Sequence, residues 1–374
     1  MKILIDCRSI TLHSGTGIGT YTRNLVHNLI NMNKKDIFNL IWTGSIDNNY
    51  NKANTNISLI SAKYSSFYDE YFIPNLIESN NEDLYHIPQN GLGFPLGNKL
   101  NVVVTIHDLI PYIMPETVGS SYLSKFIHDM PDIVASSKGI FTVSEYSKKD
   151  ILRFFPKYPA EKIYVTQLAA APNFKPISKE LCKSYIKQYY KITDPFILYV
   201  GGFSSRKNVK SLILSYCKIF SSFKRPHKLV LAGAIKDSAK ELIDLVMTMG
   251  MGNYIIFPGY VDDNILPIFY NAAETFVYPS LYEGFGLPPL EAMSCKTPVI
   301  TSNTTSIPEV TGDCSLLIEP NDVESLSTSL LKLLNNNDLK EELAGKGYKR
   351  SLQFSWRQTA KKTFEAYKKI ILTS

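Results

Sequence analysis

Short apolar runs alternate along this chain with longer segments of helical period. Seven runs in the first half read as strands, at 3–6, 38–42, 57–60, 83–87, 102–106, 139–143 and 163–166. Six more follow, at 196–200, 229–232, 254–257, 275–278, 299–302 and 316–318. Most are apolar throughout rather than alternating, the pattern of strands covered on both faces. Between them apolar positions recur at helical spacing, as in Tyr21, Leu25 and Leu29. Strand–helix alternation in two series predicts an α/β chain of two Rossmann-like domains, each with a parallel sheet. The seam is expected within 171–194, where Pro172, Pro176 and Pro195 punctuate a polar helix. This gives a domain at 1–175 and another at 176–355. A last helix at 356–374 carries Phe364, Tyr367 and Ile371 on one face.

Composition narrows the class. At 374 residues the chain exceeds one typical core. Its 44% apolar and 20% charged residues describe an ordinary globular protein. A net charge of +6 suits an anionic membrane surface or a phosphorylated substrate. The basic residues are scattered, which argues against nucleic acid as a partner. Cys7, Cys182, Cys217, Cys295 and Cys314 lie far apart and form no CxxC, so they read as buried thiols in a reducing compartment. The apolar part of the N-terminus is too short for a signal peptide, and no run reaches the ~18 apolar residues that suggest a membrane span. The expectation is a cytoplasmic protein whose membrane contact, if any, is peripheral and at the cytoplasmic face.

The densest chemistry lies at Tyr278-Pro279-Ser280-Leu281-Tyr282-Glu283-Gly284-Phe285-Gly286-Leu287-Pro288-Pro289-Leu290-Glu291. A strand leads into a glycine turn and then into a helix start, where prolines cost no hydrogen bond. Unpaired amides at such a start suit an anion. Glu283 is expected in the loop and Glu291 in the first helical turn. Two carboxylates so placed can reach different hydroxyls of one extended ligand, although an acidic residue near a helix start can also serve the dipole alone. Arg206 and Lys207 follow the strand at 196–200 and a Gly-Gly turn, presenting cations where α/β folds bind ligands. His107 and Asp108 end the strand at 102–106 in the same way, and a core histidine on a backbone carbonyl is the equal alternative. His86 reads more readily as structural. Gly17 and Gly19 fail as a dinucleotide fingerprint but form a turn before a helix that can approach phosphate or acceptor. No Asp-x-Asp pair is present to hold a divalent ion, and Arg206, Lys207 and a helix N-terminus offer positive charge in its place.

The segment Glu283-Gly-Phe-Gly-Leu-Pro-Pro-Leu-Glu291-Ala-Met resembles the signature of the retaining glycosyltransferases of family 4, which have the GT-B fold. Gly201-Gly202-Phe203-Ser204-Ser205-Arg206-Lys207-Asn208 is similar to that family's diphosphate loop, and Phe257-Pro258-Gly259-Tyr260-Val261 to its base-side loop. Ile307-Pro308-Glu309-Val310-Thr311-Gly312 and Phe354-Ser355-Trp356 match later landmarks. Gly17-Ile18-Gly19-Thr20-Tyr21 and Thr105-Ile106-His107-Asp108-Leu109 resemble a branch rich in bacterial mannosyltransferases of surface-polysaccharide assembly.

The resemblance implies two Rossmann-like domains facing across a cleft, with the last helix returning to the N-terminal domain. It implies transfer of a hexose, mannose from GDP-mannose first, to a glycan or polyprenyl-diphosphate-linked acceptor, without a metal or other cofactor. Lys207 and Arg206 would carry the diphosphate, and Glu291 the ribose. Glu283, with the amides of Phe285, Gly286 and Leu287, would hold sugar hydroxyls. His107 would sit beside the reacting carbon. Asp108, Val261, Glu309, Gly17, Gly19 and Gly202 would line the donor and acceptor sites. Gly202 stands where some members have an arginine. A UDP-sugar donor, an epimerase or hydrolase on the same architecture, and a non-catalytic sugar-nucleotide or membrane-docking protein are the alternatives.

Overall fold

The computed structural model describes residues 1–61, 67–95 and 101–373, so the final residue of the expected helix 356–374 lies outside the described residues. The chain divides into two compact units, Met1–Leu168 with Ser355–Ser374, and Ala169–Phe354. The expected seam at 175/176 falls at 168/169. Phe174 is buried in the core of the second unit, with Ala170 and Ala171 packed on it.

The first unit is built on seven parallel strands: β1 (Lys2–Asp6), β2 (Ile37–Trp42), β3 (Thr55–Leu59), β4 (Leu84–Ile87), β5 (Val102–Thr105), β6 (Gly139–Thr142) and β7 (Ile163–Val165). Their order is β3-β2-β1-β4-β5-β6-β7, so the winding reverses between β1 and β4. The helix Gly17–Met32 buries Tyr21, Leu25 and Leu29 together, as their spacing predicts. The helix Trp356–Leu372 packs on it. Its inner face carries Phe364, Tyr367 and Ile370. Ile371, expected on that face, is only partly buried.

The second unit has six parallel strands: β8 (Phe196–Val200), β9 (Lys228–Ala232), β10 (Ile255–Gly259), β11 (Thr275–Tyr278), β12 (Val299–Ser302) and β13 (Leu316–Ile318). The order is β10-β9-β8-β11-β12-β13, with the reversal between β8 and β11. Nearly every side chain of β8, β9, β11 and β12 is buried, which is why these strands are apolar on both faces. In a doubly wound sheet the crevice for ligands opens outside the carboxyl ends of the strands that flank such a reversal. Here those ends are Val200 and Tyr278.

Candidate functional site

Three glycine turns leave the carboxyl edge of the second sheet. Gly201 follows β8 at φ +153°, and a Cβ on it would meet the Tyr199 hydroxyl at 2.8 Å. A Cβ on Gly233 would lie 2.0 Å from the Gly201 carbonyl oxygen, so no side chain fits there. Gly259 sits at the third end, accepting from the Gly233 amide at 3.0 Å. The next loop residue, Gly202, faces open space on its Cβ side, and its carbonyl accepts from Tyr199 at 2.5 Å.

A short turn, Ser205–Lys207, then brings Arg206 and Lys207 against the loop after β11. Asn208, at φ +55°, ends this turn, and its side chain donates to the Pro279 and Pro320 carbonyls. The Leu281 amide donates to the Arg206 carbonyl at 2.8 Å. The two loops are thus stitched by backbone as well as by charge.

Glu283 is the centre of the site. Its Oε1 accepts from Lys207 Nζ (2.7 Å), Arg206 Nη1 (2.9 Å), the Tyr278 hydroxyl (3.0 Å) and Ser280 Oγ (2.5 Å). Lys207 Nζ also donates to the Tyr278 hydroxyl at 2.5 Å, and Arg206 Nη1 to the Tyr282 carbonyl at 2.5 Å. Burial acts to raise the Glu283 carboxyl, but Lys207 and Arg206 override it and hold it at about 2. Two cations share one carboxylate. Glu283 Oε2 receives no donor from the described residues, so it keeps its accepting capacity.

Gly286, at φ +112°, caps the helix Leu287–Ser294. A Cβ there would strike Ile307 Cδ1 at 2.7 Å, so glycine is required by both backbone and packing. Ser306 Oγ lies 2.8 Å from the carbonyls of Glu283 and Phe285 and fixes the loop. Among the described residues the amides of Phe285, Gly286 and Leu287 have no acceptor. The helix begins at Leu287, with Pro288 and Pro289 in its first turn, the helix start expected for them. Glu291 therefore lies in the second turn, and the first turn holds no acidic residue. A role in balancing the helix dipole, weighed from the sequence, loses its geometry. Glu291 is buried and accepts from the Tyr270 hydroxyl at 3.1 Å. Burial pushes its carboxyl up to about 8.

Other expected residues take supporting positions. Val261 buries its side chain in the core of the second unit, so its backbone is what the loop after β10 can offer. Glu309 opens the helix Ile307–Thr311, and its carbonyl accepts from Arg350 Nη2 at 2.7 Å.

In the first unit His107 follows β5. Its Nε2 lies 2.8 Å from the Pro88 carbonyl, its amide donates to Asn90 Oδ1 at 2.8 Å, and its ring meets Tyr21 edge-on at 4.8 Å. The carbonyl fixes the proton on Nε2. Burial pushes the imidazole down to about 4, so it is neutral near pH 7 and presents Nδ1 as an acceptor. Asp108 Oδ1 accepts from the Ile110 amide at 3.1 Å. Gly17 is exposed with open space beside it, whereas a Cβ on Gly19 would lie 2.3 Å from the His13 carbonyl oxygen. Gly19 therefore serves helix packing. His86 is fully buried between the Tyr367 hydroxyl (2.5 Å) and Thr105 Oγ1 (2.8 Å), a structural histidine.

Sequence reasoning passed over Tyr278, Ser280 and Tyr270, the partners of the two carboxylates. It also passed over a buried cluster where the first sheet reverses. There Arg8 Nη2 pairs with Asp6 (2.6 Å) and Asp69 (3.0 Å), and Gln89 Nε2 donates to Asp6 at 2.6 Å. The signal available was two opposite charges two positions apart at the end of an apolar strand.

Comparison with known proteins gives a consistent result. The family model described as "Glycosyl transferases group 1" matches residues 185–350. The chain is 38% identical over 289 residues to the O-antigen chain mannosyltransferase B of Escherichia coli, covering 76% of this chain and 74% of that one. It is 30% identical over 277 residues to the serotype-specific mannosyltransferase WbdA of Escherichia coli. That match covers 73% of this chain and 34% of the longer relative. Among solved structures, a glycosyltransferase from Rickettsia africae ESF-5 aligns with a TM-score of 0.78 at 18% identity, over 100% of this chain and 99% of that one. WaaG, a glycosyltransferase involved in lipopolysaccharide biosynthesis, aligns with a TM-score of 0.74 at 16% identity, over 97% and 98%.

Proposed function

The chain belongs to the group 1 glycosyl transferases and has the GT-B arrangement of two parallel-sheet domains, and from this premise we propose that it transfers mannose from GDP-mannose, with retention and without a metal ion, to a glycan or polyprenyl-diphosphate-linked acceptor. The observation that carries the reading is the cluster of Lys207, Arg206 and Glu283 at the reversal between β8 and β11. Mannose is favoured because the two relatives described above are named mannosyltransferases.

In this reading the diphosphate rests against Lys207 and Arg206, whose positive charge stabilises the oxygen that gains charge as the glycosidic bond breaks. These cations do the work a divalent ion does elsewhere. The unpaired amides of Phe285, Gly286 and Leu287, with Glu283 Oε2, hold sugar hydroxyls. Glu291 accepts from the ribose, and the backbone at Val261 borders the base. Glu309 stands at the rim of the nucleotide site. Neutral His107 accepts from a substrate hydroxyl through Nδ1. Gly17 gives backbone access on the acceptor side, and Asp108 braces the turn after His107. No side chain is assigned as a nucleophile. The acceptor oxygen attacks the anomeric carbon on the face that the diphosphate leaves. The C–O bond to acceptor forms as that to phosphate breaks, and the departing phosphate oxygen takes the acceptor proton.

A melting-temperature panel with GDP, UDP, ADP and dTDP in the presence of chelator tests the donor site. Stabilisation by GDP alone, followed by chelator-resistant consumption of GDP-mannose giving an α-linked product by NMR, is the expected result. Stabilisation by UDP instead would favour a UDP-sugar donor, the reading suggested by the UDP-bound Anabaena HepE structure of similar fold. Dependence on added divalent ion would overturn the metal-free part.

A further inference from the structure

The helix Lys179–Tyr190 gathers its cations on one side. Lys179, Lys183 and Lys187 recur every four residues, so they share one flank. That flank faces the amino edge of the second sheet. Lys179 (3.0 Å) and Lys183 (3.1 Å) reach Glu274, the residue just before β11, and Lys340 reaches it from the helix Asn337–Ser351 at 3.5 Å. The Glu274 amide donates to the Phe196 carbonyl at 2.9 Å, which ties the cluster to the start of β8. On the other side of β8 the Lys228 amide donates to the Pro195 carbonyl at 2.8 Å, and Lys228 Nζ faces Asp194 at 3.4 Å. Between the helix and the start of β8 lies a cleft of about 190 Å³. Lys183, Ser184, Lys187, Thr193 and Asp194 line it. At ~30 Å³ per water in the liquid, the space holds about six waters, or one tetrahedral oxyanion with part of its hydration shell.

Cations dominate this edge. Lys179, Lys183, Lys187, Lys228 and Lys340 stand among the carboxylates of Glu180, Asp194 and Glu274. Glu180 is exposed and accepts from the Ser178 hydroxyl at 3.1 Å. Burial acts to raise the Glu274 carboxyl, and the lysines hold it at about 2. Burial in turn pushes the Lys179 ammonium down, and Lys183 and Lys340 push the same way. Lys187 lines the cleft and forms no ion pair among the described residues. Two lysines at i and i+4, about 5–6 Å apart at Cβ, can close on one phosphate from two sides. Ser184 and Thr193 add hydroxyl donors at the walls. A dianion suits the cleft better than a monoanion, because it answers both ammonium groups at once. The exposed apolar residues of the helix, Leu181 and Tyr189, lie on its opposite flank. A small soluble ligand therefore fits the cleft, and an apolar surface does not.

We infer that this cleft is a second anion site, which takes inorganic phosphate or a small phosphate monoester between Lys183 and Lys187. The cleft borders the amino end of β8, whereas Lys207 lies beyond its carboxyl end. The strand has five residues, and at about 3.3 Å per residue its ends are about 13 Å apart. The two sites can thus be filled together, and the inference survives a change of donor or sugar. Bound phosphate joins the helix to the sheet edge and stabilises the second unit.

Equilibrium dialysis of the full chain against radiolabelled inorganic phosphate tests the site. Saturable binding is expected, with displacement by methyl phosphate and weakening by added salt. Lys187→Gln and Lys183→Gln should each weaken it by about tenfold or more, the usual worth of one hydrogen bond to a charged group. Both lysines are exposed, and Glu274 keeps Lys179 and Lys340, so the melting temperature of the double variant without phosphate should match the wild type. Asp194→Asn removes the acid that lines the cleft and should tighten binding, an effect that damage to the fold would not produce. Lys207→Met, in the candidate donor site, should keep this binding. Unchanged binding in the double variant would overturn the inference. So would loss of binding in Lys207→Met, equal displacement by acetate, or the absence of any saturable binding. Displacement of phosphate by phosphatidylglycerol vesicles would assign the cleft to a lipid headgroup and overturn the soluble ligand.

Discussion

Replacing Glu283 by glutamine keeps the side-chain shape and removes the charge on which four donors converge. The Glu283, Lys207 and Arg206 side chains are only 12%, 14% and 15% exposed, so water does little to compensate. The carboxyl falls from its ordinary 4.5 to about 2. At about 1.4 kcal/mol per pH unit this is about 3 kcal/mol of native-state stabilisation. It matches the ~3–5 kcal/mol typical of removing one partner from a buried pair. Because the folded value is depressed, the contribution is complete above about pH 4.5 and is lost as pH falls toward about 2.

The assay is urea unfolding followed by far-ultraviolet ellipticity at pH 7 and again at pH 4 and 3. Trp42 and Trp356, the two tryptophans, both belong to the first unit, so ellipticity lost without a tryptophan signal reports the second. Glu283→Gln is expected to cost about 3 kcal/mol at pH 7, and the gap to wild type should narrow as the acid limb is reached. A nucleoside diphosphate supplies the missing negative charge, so GDP should raise the melting temperature of Glu283→Gln by more than that of wild type. Turnover should nevertheless fall by orders of magnitude, because the sugar hydroxyls lose their acceptor. A stability loss under about 1 kcal/mol at pH 7, or a gap that does not change with pH, would refute the electrostatic argument.

Three further outcomes follow from the same geometry. Lys207→Met should lower kcat by about 10²–10³, the usual effect of removing one charge-stabilising donor, and should reduce the thermal shift given by GDP. Glu291 sits above the ordinary glutamate value, so its stability contribution is full below about pH 4.5 and is lost as pH rises through about 8. If ribose binding recruits the carboxylate, KM for the donor should fall between pH 7 and 9 in the wild type and stay flat in Glu291→Gln. Gly286→Ala must hold φ +112° against Ile307 and should cost about 1–3 kcal/mol with a marked loss of activity, whereas Gly202→Ala, facing open space, should be close to neutral in stability.

What was legible in the chain divides by the range of the interaction. The strands could be read because both faces of β8, β9, β11 and β12 are covered, and continuous apolar runs record that directly. The loop from Glu283 to Leu287 could be read because its chemistry is local. Its pairing with Lys207, 76 positions earlier, has no local signal, and only the resemblance joined the two segments. Tyr278 and Ser280 lie within five residues of Glu283 and were still missed, since a tyrosine ending an apolar strand is indistinguishable from core until its hydroxyl has a partner. Proline marked the helix start correctly, since its fixed φ and missing N–H fit the first turn, and the helix opens at Leu287, behind Gly286 at φ +112°, which carries Glu291 one turn further in than expected.

Distance in sequence explains the remainder. His86 and Tyr367 are 281 positions apart, and their contact exists because the last helix packs on Gly17–Met32 within the first unit. Glycines are ambiguous for a related reason. Gly19 and Gly17 look alike in the chain, and only the carbonyl of His13, 2.3 Å from where a Cβ would stand, separates a packing glycine from one with open space beside it. A residue type reports its own conformational freedom, whereas the use made of that freedom is set by a neighbour that the fold supplies. The Glu283 cluster applies the same rule to charge. The arginine and the lysine stand 77 and 76 positions before the carboxylate, and only the fold makes all three converge on one oxygen at the edge where the sheet reverses.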